Sequence, residues 1–147
     1  NRLKSTFEME GFDKRLSYAR LLTEKISYIK VLDLEEKNKL YASYQTVSFL
    51  NSKTQKTKFV WLMGSDVLDN FNKWLYPELI VKSIYIAVIS RPGFSSSFVN
   101  AQNTRLLGTR LKTSKSKFIF NYNKPIWVFI KNKLLAISST ELRKINN

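Results

Sequence analysis

The sequence predicts an α/β fold with a parallel sheet flanked by helices, and three observations support that prediction. Residues 58–63 and 85–90 are almost entirely apolar, which is typical of strands buried on both faces of a parallel sheet. Segments with helical spacing of apolar residues precede, separate and follow these runs. The chain has 147 residues, a length that suits one domain burying roughly 68–70% of its unfolded surface. We therefore expect residues 1–147 to form a single domain.

The first third of the chain predicts two helices and one strand. Residues 12–23 carry apolar side chains at helical spacing, among them Phe12 and Leu16. Residues 27–32 (SYIKVL) are typical of a short strand. Residues 43–50 predict a second helix with Ser43 as its N-cap.

The remainder alternates between strands and helices. The predicted strands are residues 58–63, 85–90, 127–130 and 134–137. The predicted helices are residues 65–75, 77–81, 102–107 and 139–145. Gly64 ends the first of these strands and Arg91-Pro92-Gly93 ends the second, while residues 94–117 are sparse in apolar positions.

Composition and charge exclude several classes of protein. The 44% hydrophobic and 14% aromatic content excludes disorder over the whole chain. The absence of Cys excludes a disulfide scaffold, a cysteine-ligated zinc site and thiol catalysis. The absence of His removes the commonest general base and transition-metal ligand. A net charge of +14 favours nucleic acid, anionic membranes or phosphorylated small molecules as partners.

The sequence contains no apolar segment suited to targeting or to spanning a bilayer. Its first residues are polar, and its longest apolar stretch, residues 79–89, is short and interrupted by Lys82 and Ser83. We therefore expect a cytoplasmic protein without a membrane partner.

Three segments follow predicted strands, where open parallel sheets bind ligands. They are Gly64-Ser65-Asp66, Arg91-Pro92-Gly93 and residues 137–143 (ISSTELR). Gly64 allows close approach of the backbone to a ligand, and Asp66 could accept hydrogen bonds from ribose hydroxyls. The alternative is structural: Gly64 ends a strand and Asp66 caps the next helix.

The C-terminal segment has a similar pair of interpretations. Ser138 and Glu141 match the S-x-x-E capping box, which explains both without a ligand. The same helix N-terminus, with the Ser139 and Thr140 hydroxyls and Arg143 in its first turn, is also an anion site.

The three tryptophans differ in context. Trp61 and Trp127 lie inside apolar runs and are predicted core residues. Trp74 follows polar residues, and it either stacks on a flat ligand ring or packs within the protein.

These segments, in this order and spacing, resemble bacterial nicotinate-nucleotide adenylyltransferases. The family's strand ending in G-A-D-x-L is similar to residues 59–68 (FVWLMGSDVL), and the aromatic residue and tryptophan that follow it match Phe71 and Trp74. The family's R-P-G strand end and its I-S-S-T-x-[IL]-R motif match residues 86–94 and 137–143. Its Y-T-x-D-T-L, N-P-x-K and F-x-x-R motifs look like residues 42–47 (ASYQTV), 1–4 (NRLK) and 12–15 (FDKR).

The resemblance implies a Rossmann-like nucleotidyltransferase fold and an enzyme of NAD biosynthesis. The family transfers AMP from ATP to nicotinate mononucleotide, with Mg²⁺ on the leaving phosphates, and yields deamido-NAD and pyrophosphate. The implied partners are ATP and nicotinate mononucleotide, with a homo-oligomer left open. The implied ATP-binding residues are Gly64, Asp66, Arg91, Ser138, Ser139, Thr140 and Arg143, and the implied mononucleotide-binding residues are Lys4, Ser43, Tyr44 and Trp74. No residue is assigned to a metal.

The family's opening strand, its G-G-x-F-D-P-x-H-x-G-H motif and the following helix have no counterpart in this sequence. The family's histidines stabilise the transition-state phosphate. We therefore expect a fold without the first strand-turn-helix unit, no catalytic residue in this chain, and no turnover. Nucleotide binding by the chain alone is expected to be weak or absent.

Two alternatives remain at this stage. The first is a basic α/β module that binds RNA through Lys, Arg and stacked aromatic rings, with residues 112–117 (KTSKSK) as its basic run. The second is a non-catalytic remnant kept as a partner subunit. Outside that run the basic residues are scattered and form no stripe, so nucleic acid is the less expected partner.

Overall fold

The structure, a computed structural model, describes residues 10–54, 56–94 and 99–132. The chain divides into two compact units, residues 1–46 and 47–147. The first unit contains helices α1 (Phe12–Thr23) and α2 (Leu34–Lys37) and the start of α3 (Ser43–Lys53), which continues into the second unit. The helices predicted at residues 12–23 and 43–50 are confirmed.

Charged side chains connect the elements of the first unit. Helix α1 has no buried residue, so its apolar positions do not form a core. Asp33 pairs with Lys37 at 3.1 Å and with Arg20 at 3.7 Å. The hydrogen bond from Lys37 is the main cause that holds the pKa of Asp33 below its ordinary value. Of these two pairs, the one between Arg20 and Asp33 joins α1 to the start of α2.

The strand predicted at residues 27–32 is wrong. The segment is a turn followed by irregular backbone, with the N–H of Ile29 donating to the carbonyl of Ile26 at 3.0 Å. Tyr28 is 87% exposed. A β-prone sequence forms a strand only where a neighbouring strand supplies hydrogen bonds and packing, and no described strand pairs with these residues.

Ser43 is not the N-cap of α3, because the helix begins at Ser43 itself. The side chain of Gln45 closes this helix end instead. Its Oε1 accepts hydrogen bonds from the backbone N–H groups of Tyr41 at 2.8 Å and Ala42 at 3.0 Å. Such reach-back bonds satisfy N–H groups that the helix itself leaves unpaired.

The described part of the second unit is built on a four-stranded parallel sheet. Its strands are β1 (Val60–Gly64), β2 (Tyr85–Ile89), β3 (Thr109–Leu111) and β4 (Ile126–Ile130), and their spatial order is β1-β2-β4-β3. Every neighbouring pair is parallel. The predicted α/β fold with a parallel sheet is therefore confirmed, and so are the strands predicted at residues 58–63, 85–90 and 127–130.

Short helices connect these strands. Helices α4 (Leu68–Phe71), α5 (Pro77–Ser83) and α6 (Ala101–Thr104) follow the positions predicted for them, although α4 is much shorter than the predicted 65–75. Three 3₁₀ helices, Ser65–Val67, Arg105–Leu107 and Thr113–Asn121, complete the connections. The sequence did not predict β3 or the last of these 3₁₀ helices. The strand predicted at 134–137 and the helix predicted at 139–145 lie outside the described residues.

The two interior strands supply the core. The first four residues of both β2 and β4 are buried, and Trp127 is only 2% exposed, as predicted. In contrast, Trp61 of β1 is half-buried and Leu62 is 66% exposed. The prediction that this run is buried on both faces is wrong, because no described element covers the face that carries Leu62, whereas Met63 on the other face is buried. No helix among the described residues is long and apolar enough to cross a bilayer.

Gly108 precedes β3 in a conformation that other residues rarely adopt. Its φ is +78°, and a Cβ there would lie 2.8 Å from Cβ and Cγ of Pro125. The same loop carries a ladder bond from Thr109 N–H to the Pro125 carbonyl at 3.3 Å. Glycine is therefore required both by backbone conformation and by the neighbouring proline.

We predict that Gly108→Ala lowers the free energy of unfolding by more than about 2 kcal/mol, because it adds a steric clash to the cost of a left-handed backbone. Gly93→Ala is the matched control: its φ is also +78°, but nothing lies within 4 Å of the added Cβ. This control should cost about 1 kcal/mol. Chemical denaturation measures both, and equal losses would contradict the role given to Pro125.

Candidate functional site

The carboxyl ends of three parallel strands meet at one edge of the sheet. Gly64 pairs with Ile89, and Ile89 pairs with Ile130, so β1, β2 and β4 end at the same level. The backbone that leaves them forms what we call the carboxyl edge, residues 64–66, 90–94 and 131–132. Two of the three segments singled out from the sequence lie here, and the third, residues 137–143, is outside the described residues.

Ser65 links the loops that follow β1 and β2. It is completely buried, and its Oγ donates to the carbonyl of Phe94 at 2.8 Å and accepts from the backbone N–H of Arg91 at 3.0 Å. The turn is closed by a bond from the Phe94 N–H to the Arg91 carbonyl at 3.0 Å. One hydroxyl therefore fixes the start and the end of the Arg91–Phe94 turn against the loop that carries Asp66.

Asp66 and Arg91 lie side by side above this link. Arg91 Nε is 3.6 Å from Asp66 Oδ1, and the two side chains are 60% and 40% exposed. A Cβ on Gly64 would collide with the Asp66 carboxylate and lie 2.8 Å from Arg91 Nε. The glycine therefore makes room for these two side chains. A carboxylate and a guanidinium open to solvent at a sheet edge can accept hydrogen bonds from hydroxyls and donate them to phosphates.

A second serine links β2 to β4 in the same way. Ser90 is 9% exposed, and its Oγ accepts from the backbone N–H of Asn132 at 2.9 Å. Its own N–H donates to the carbonyl of Ile130 at 3.0 Å. Neither Ser65 nor Ser90 was identified as important from the sequence. One signal in the sequence could have identified Ser65: it is a serine at the position where the resembled family's G-A-D motif has alanine.

Trp74 packs against two other rings. Its ring centroid is 5.2 Å from that of Phe71, and it meets Trp61 edge-to-face with centroids 6.5 Å apart. Trp74 is half-buried, so part of its surface stays accessible. These contacts show packing within the protein, and the sequence prediction of ring stacking on a ligand stays a prediction.

Three of the predicted site residues meet at the carboxyl edge of the second unit. Ser43 and Tyr44 lie half-buried in the first turn of α3, in the first unit. Lys4 and the group Ser138, Ser139, Thr140 and Arg143 lie outside the described residues. The structure therefore brings together Gly64, Asp66 and Arg91.

A polar cavity of about 300 Å³ lies between α4 and α6. Asn103 Nδ2 donates to Asp69 Oδ1 across it at 3.3 Å. None of the predicted site residues lines it. Within residues 10–54, 56–94 and 99–132, no group of three or more Asp or Glu side chains could hold a metal ion.

The architecture and the carboxyl edge define a nucleotidyltransferase-like α/β fold, as predicted. Two solved structures share it, both of Plasmodium falciparum nicotinic acid mononucleotide adenylyltransferase. The one complexed with NaAD has a TM-score of 0.68 and 18% identity, covering 96% of this chain. The one complexed with APC has a TM-score of 0.64 and 19% identity, covering 90% of this chain. The chain spans 63% and 61% of the lengths of those proteins.

Sequence comparison shows which bacterial proteins the chain resembles. The chain is 27% identical over 144 residues to a probable nicotinate-nucleotide adenylyltransferase of Rhizobium leguminosarum bv. trifolii, covering 97% of this chain and 74% of the relative. It is 29% identical over 146 residues to one of Mesorhizobium japonicum, covering 99% and 74%. No family model matches the sequence. The chain is thus similar to bacterial nicotinate-nucleotide adenylyltransferases over nearly its whole length, and the resemblance found in its motifs is confirmed.

We predict that Ser65→Ala loosens the carboxyl edge, because it removes the hydroxyl that bonds to the Phe94 carbonyl and to the Arg91 N–H. The free energy of unfolding should fall by about 1–3 kcal/mol, and hydrogen exchange at the Arg91 amide should become faster. Ser48→Ala, at an exposed position of α3, is the control and should change stability by less than about 0.5 kcal/mol. Unchanged exchange at Arg91 in Ser65→Ala would contradict this account.

Proposed function

We propose that the carboxyl edge is the nucleotide site of a nicotinate-nucleotide adenylyltransferase, which transfers AMP from ATP to nicotinate mononucleotide. The observation that supports this proposal best is the juxtaposition of Gly64, Asp66 and Arg91 at the ends of parallel strands. That is the place where folds of this class bind ligands. The similarity to adenylyltransferases over nearly all of the chain gives the reaction.

Asp66 is the proposed acceptor for the ribose hydroxyls of the adenylate. Its side chain is 40% exposed and only Oδ1 approaches Arg91, so the carboxylate has acceptor positions left over. Arg91 supplies positive charge and N–H donors to the phosphates. Gly64 contributes by its lack of a side chain, which lets both groups occupy the space in front of the strand end.

The rest of the proposed site comes from the family resemblance. Ser138, Ser139, Thr140 and Arg143 would hold ATP phosphates at a helix N-terminus. Lys4 would reach a phosphate, and Ser43, Tyr44 and Trp74 would frame the nicotinate ring. Mg²⁺ would enter with ATP as part of that substrate, since magnesium commonly binds through nucleotide phosphates.

The reaction requires in-line displacement at the α-phosphorus. A phosphate oxygen of nicotinate mononucleotide forms the new bond to that phosphorus while its bond to the bridging oxygen of the β-phosphate breaks, and pyrophosphate leaves. Such chemistry depends on positioning the reactants and on neutralising negative charge. The described residues of this chain contribute positioning, through Asp66, and charge neutralisation, through Arg91. We propose that the 147 residues bind nucleotides without turnover, because they include no counterpart of the family's histidines.

We predict that the chain binds deamido-NAD through Asp66. By calorimetry, Asp66→Asn should weaken binding at least about tenfold, as expected for lost hydrogen bonds to a charged group. Asp69→Asn is the matched control, because Asp69 is an exposed acid in the neighbouring helix α4 and bonds to Asn103. It should leave the affinity unchanged.

The same proteins should be assayed for pyrophosphate release from Mg-ATP with nicotinate mononucleotide. We expect no turnover by the 147 residues, and turnover after fusion to the histidine-bearing strand-turn-helix segment of a relative. Equal affinities of Asp66→Asn and Asp69→Asn would refute the proposed site, and turnover by the chain alone would refute the proposed need for histidine.

A further inference from the structure

A second concave site lies at the opposite edge of the sheet. A cavity of about 360 Å³ opens where β1 and β2 begin, and we call it the amino-edge cavity. Five residues of strand separate it from the carboxyl edge, a distance of roughly 17 Å at about 3.3 Å per residue. Its lining residues are Asn51, Thr54, Thr57, Lys58, Phe59, Ser83, Tyr85 and Lys124.

Two lysines from distant parts of the sequence meet at this cavity. Lys58 Nζ donates to the carbonyl of Phe120 at 3.2 Å and lies 5.8 Å from the centroid of the Phe120 ring. Lys124 Nζ donates to the carbonyl of Ser83 at 2.6 Å and lies 5.4 Å from the centroid of the Tyr85 ring. The two rings, Tyr85 and Phe120, contact each other edge-to-face at 5.1 Å. Both ammonium groups are thus held in place by one carbonyl and one ring.

No carboxylate offsets these two charges in the part of the chain that the structure describes. The cavity lining contains no Asp or Glu, and neither lysine takes part in an ion pair within the described residues. Residues 79–140 contain 10 Lys and Arg and no Asp or Glu. An ammonium group has three N–H donors, so each lysine keeps two after its bond to a carbonyl.

We propose that the amino-edge cavity binds the phosphate group of a small phosphate monoester. Lys58 and Lys124 donate to its oxygens from two sides, and the Thr57 hydroxyl, which forms no hydrogen bond within the described residues, is a third donor. The cavity volume lies within the range of small-molecule sites, about 300–1,000 Å³. Both lysines are exposed and line one concavity, which suits a compact anion, whereas proteins that bind single-stranded nucleic acid present a groove that follows the backbone.

A purely structural role for the lysines is the competing explanation. Ser83 is the last residue of α5, and a lysine that bonds to a terminal helix carbonyl stabilises the helix end. That role requires no bound anion. It predicts that Lys124→Gln lowers stability and leaves any phosphate affinity unchanged.

The test is a chemical-shift titration of the isotope-labelled 147-residue chain at constant ionic strength. The probes are ribose 5-phosphate, inorganic phosphate and a short single-stranded RNA. We expect saturable shifts at the amides of Thr57, Lys58 and Lys124 with ribose 5-phosphate, and weaker ones with inorganic phosphate. Lys58→Gln and Lys124→Gln should each weaken this binding at least about tenfold, as for a lost hydrogen bond between charged groups.

Two further variants distinguish binding at the amino-edge cavity from non-specific attraction of the anion to a positively charged protein. Lys58→Arg keeps the charge and should retain binding. Lys115→Gln removes an exposed lysine that does not line the cavity and should leave the affinity unchanged. Thermal melting of each variant checks that it remains folded, and the wild-type and Lys58→Arg titrations decide the proposal even if a glutamine variant unfolds.

Four results would overturn the proposal. These are the absence of saturable shifts at the cavity, equal weakening by Lys115→Gln, tighter binding of RNA than of the monoester at the same residues, and shifts confined to residues 64–66 and 91. The last would place the phosphate at the carboxyl edge. Because different backbone amides report binding at the two edges of the sheet, failure of this inference is distinguishable from failure of the proposed nucleotide site.

Discussion

The parallel pairing of β2 with β1 on one side and β4 on the other is the constraint on which the proposed nucleotide site depends. Parallel strands place all their carboxyl ends at one edge, and the register of Gly64, Ile89 and Ile130 aligns these ends. The first four residues of β2 are buried, on both faces of the strand, so β2 lies inside the sheet and has a partner strand on each side. The juxtaposition of Asp66 and Arg91 follows from this pairing, although 25 residues of sequence separate them.

At the carboxyl edge, the hydrogen bonds of buried serines hold the loops in position more strongly than the exposed Asp66–Arg91 ion pair does. The Asp66–Arg91 pair is exposed and its closest atoms are 3.6 Å apart, so it contributes at most about 1 kcal/mol. Ser65 is completely buried and bonds at both ends of the turn that carries Arg91, and loss of its hydroxyl is expected to cost about 1–3 kcal/mol. This weak pair can separate at little cost, as the proposed binding of a ligand by Asp66 and Arg91 requires.

The sequence predicted those features that depend on local pattern. Uninterrupted apolar runs identified the interior strands, and glycine and proline marked their ends. The strand predicted at residues 27–32 is wrong because a β-prone segment forms a strand only beside a neighbouring strand. Strand β3 was not predicted because three residues are too few to show a pattern. The bonds of Ser65 could not be predicted, since their partners lie 26 and 29 residues away and become neighbours only through the sheet. The same holds for the meeting of Lys58 and Lys124 at the amino edge.

Crystallography of the chain with deamido-NAD tests the central claim most directly, because it locates the adenylate ribose relative to the strand ends. The account predicts the ribose hydroxyls within hydrogen-bond distance of the Asp66 carboxylate, about 2.6–3.0 Å, with the Arg91 guanidinium turned from Asp66 toward a phosphate and the Ser65 bonds intact. A dinucleotide bound elsewhere, with Asp66 and Arg91 still paired, would contradict it.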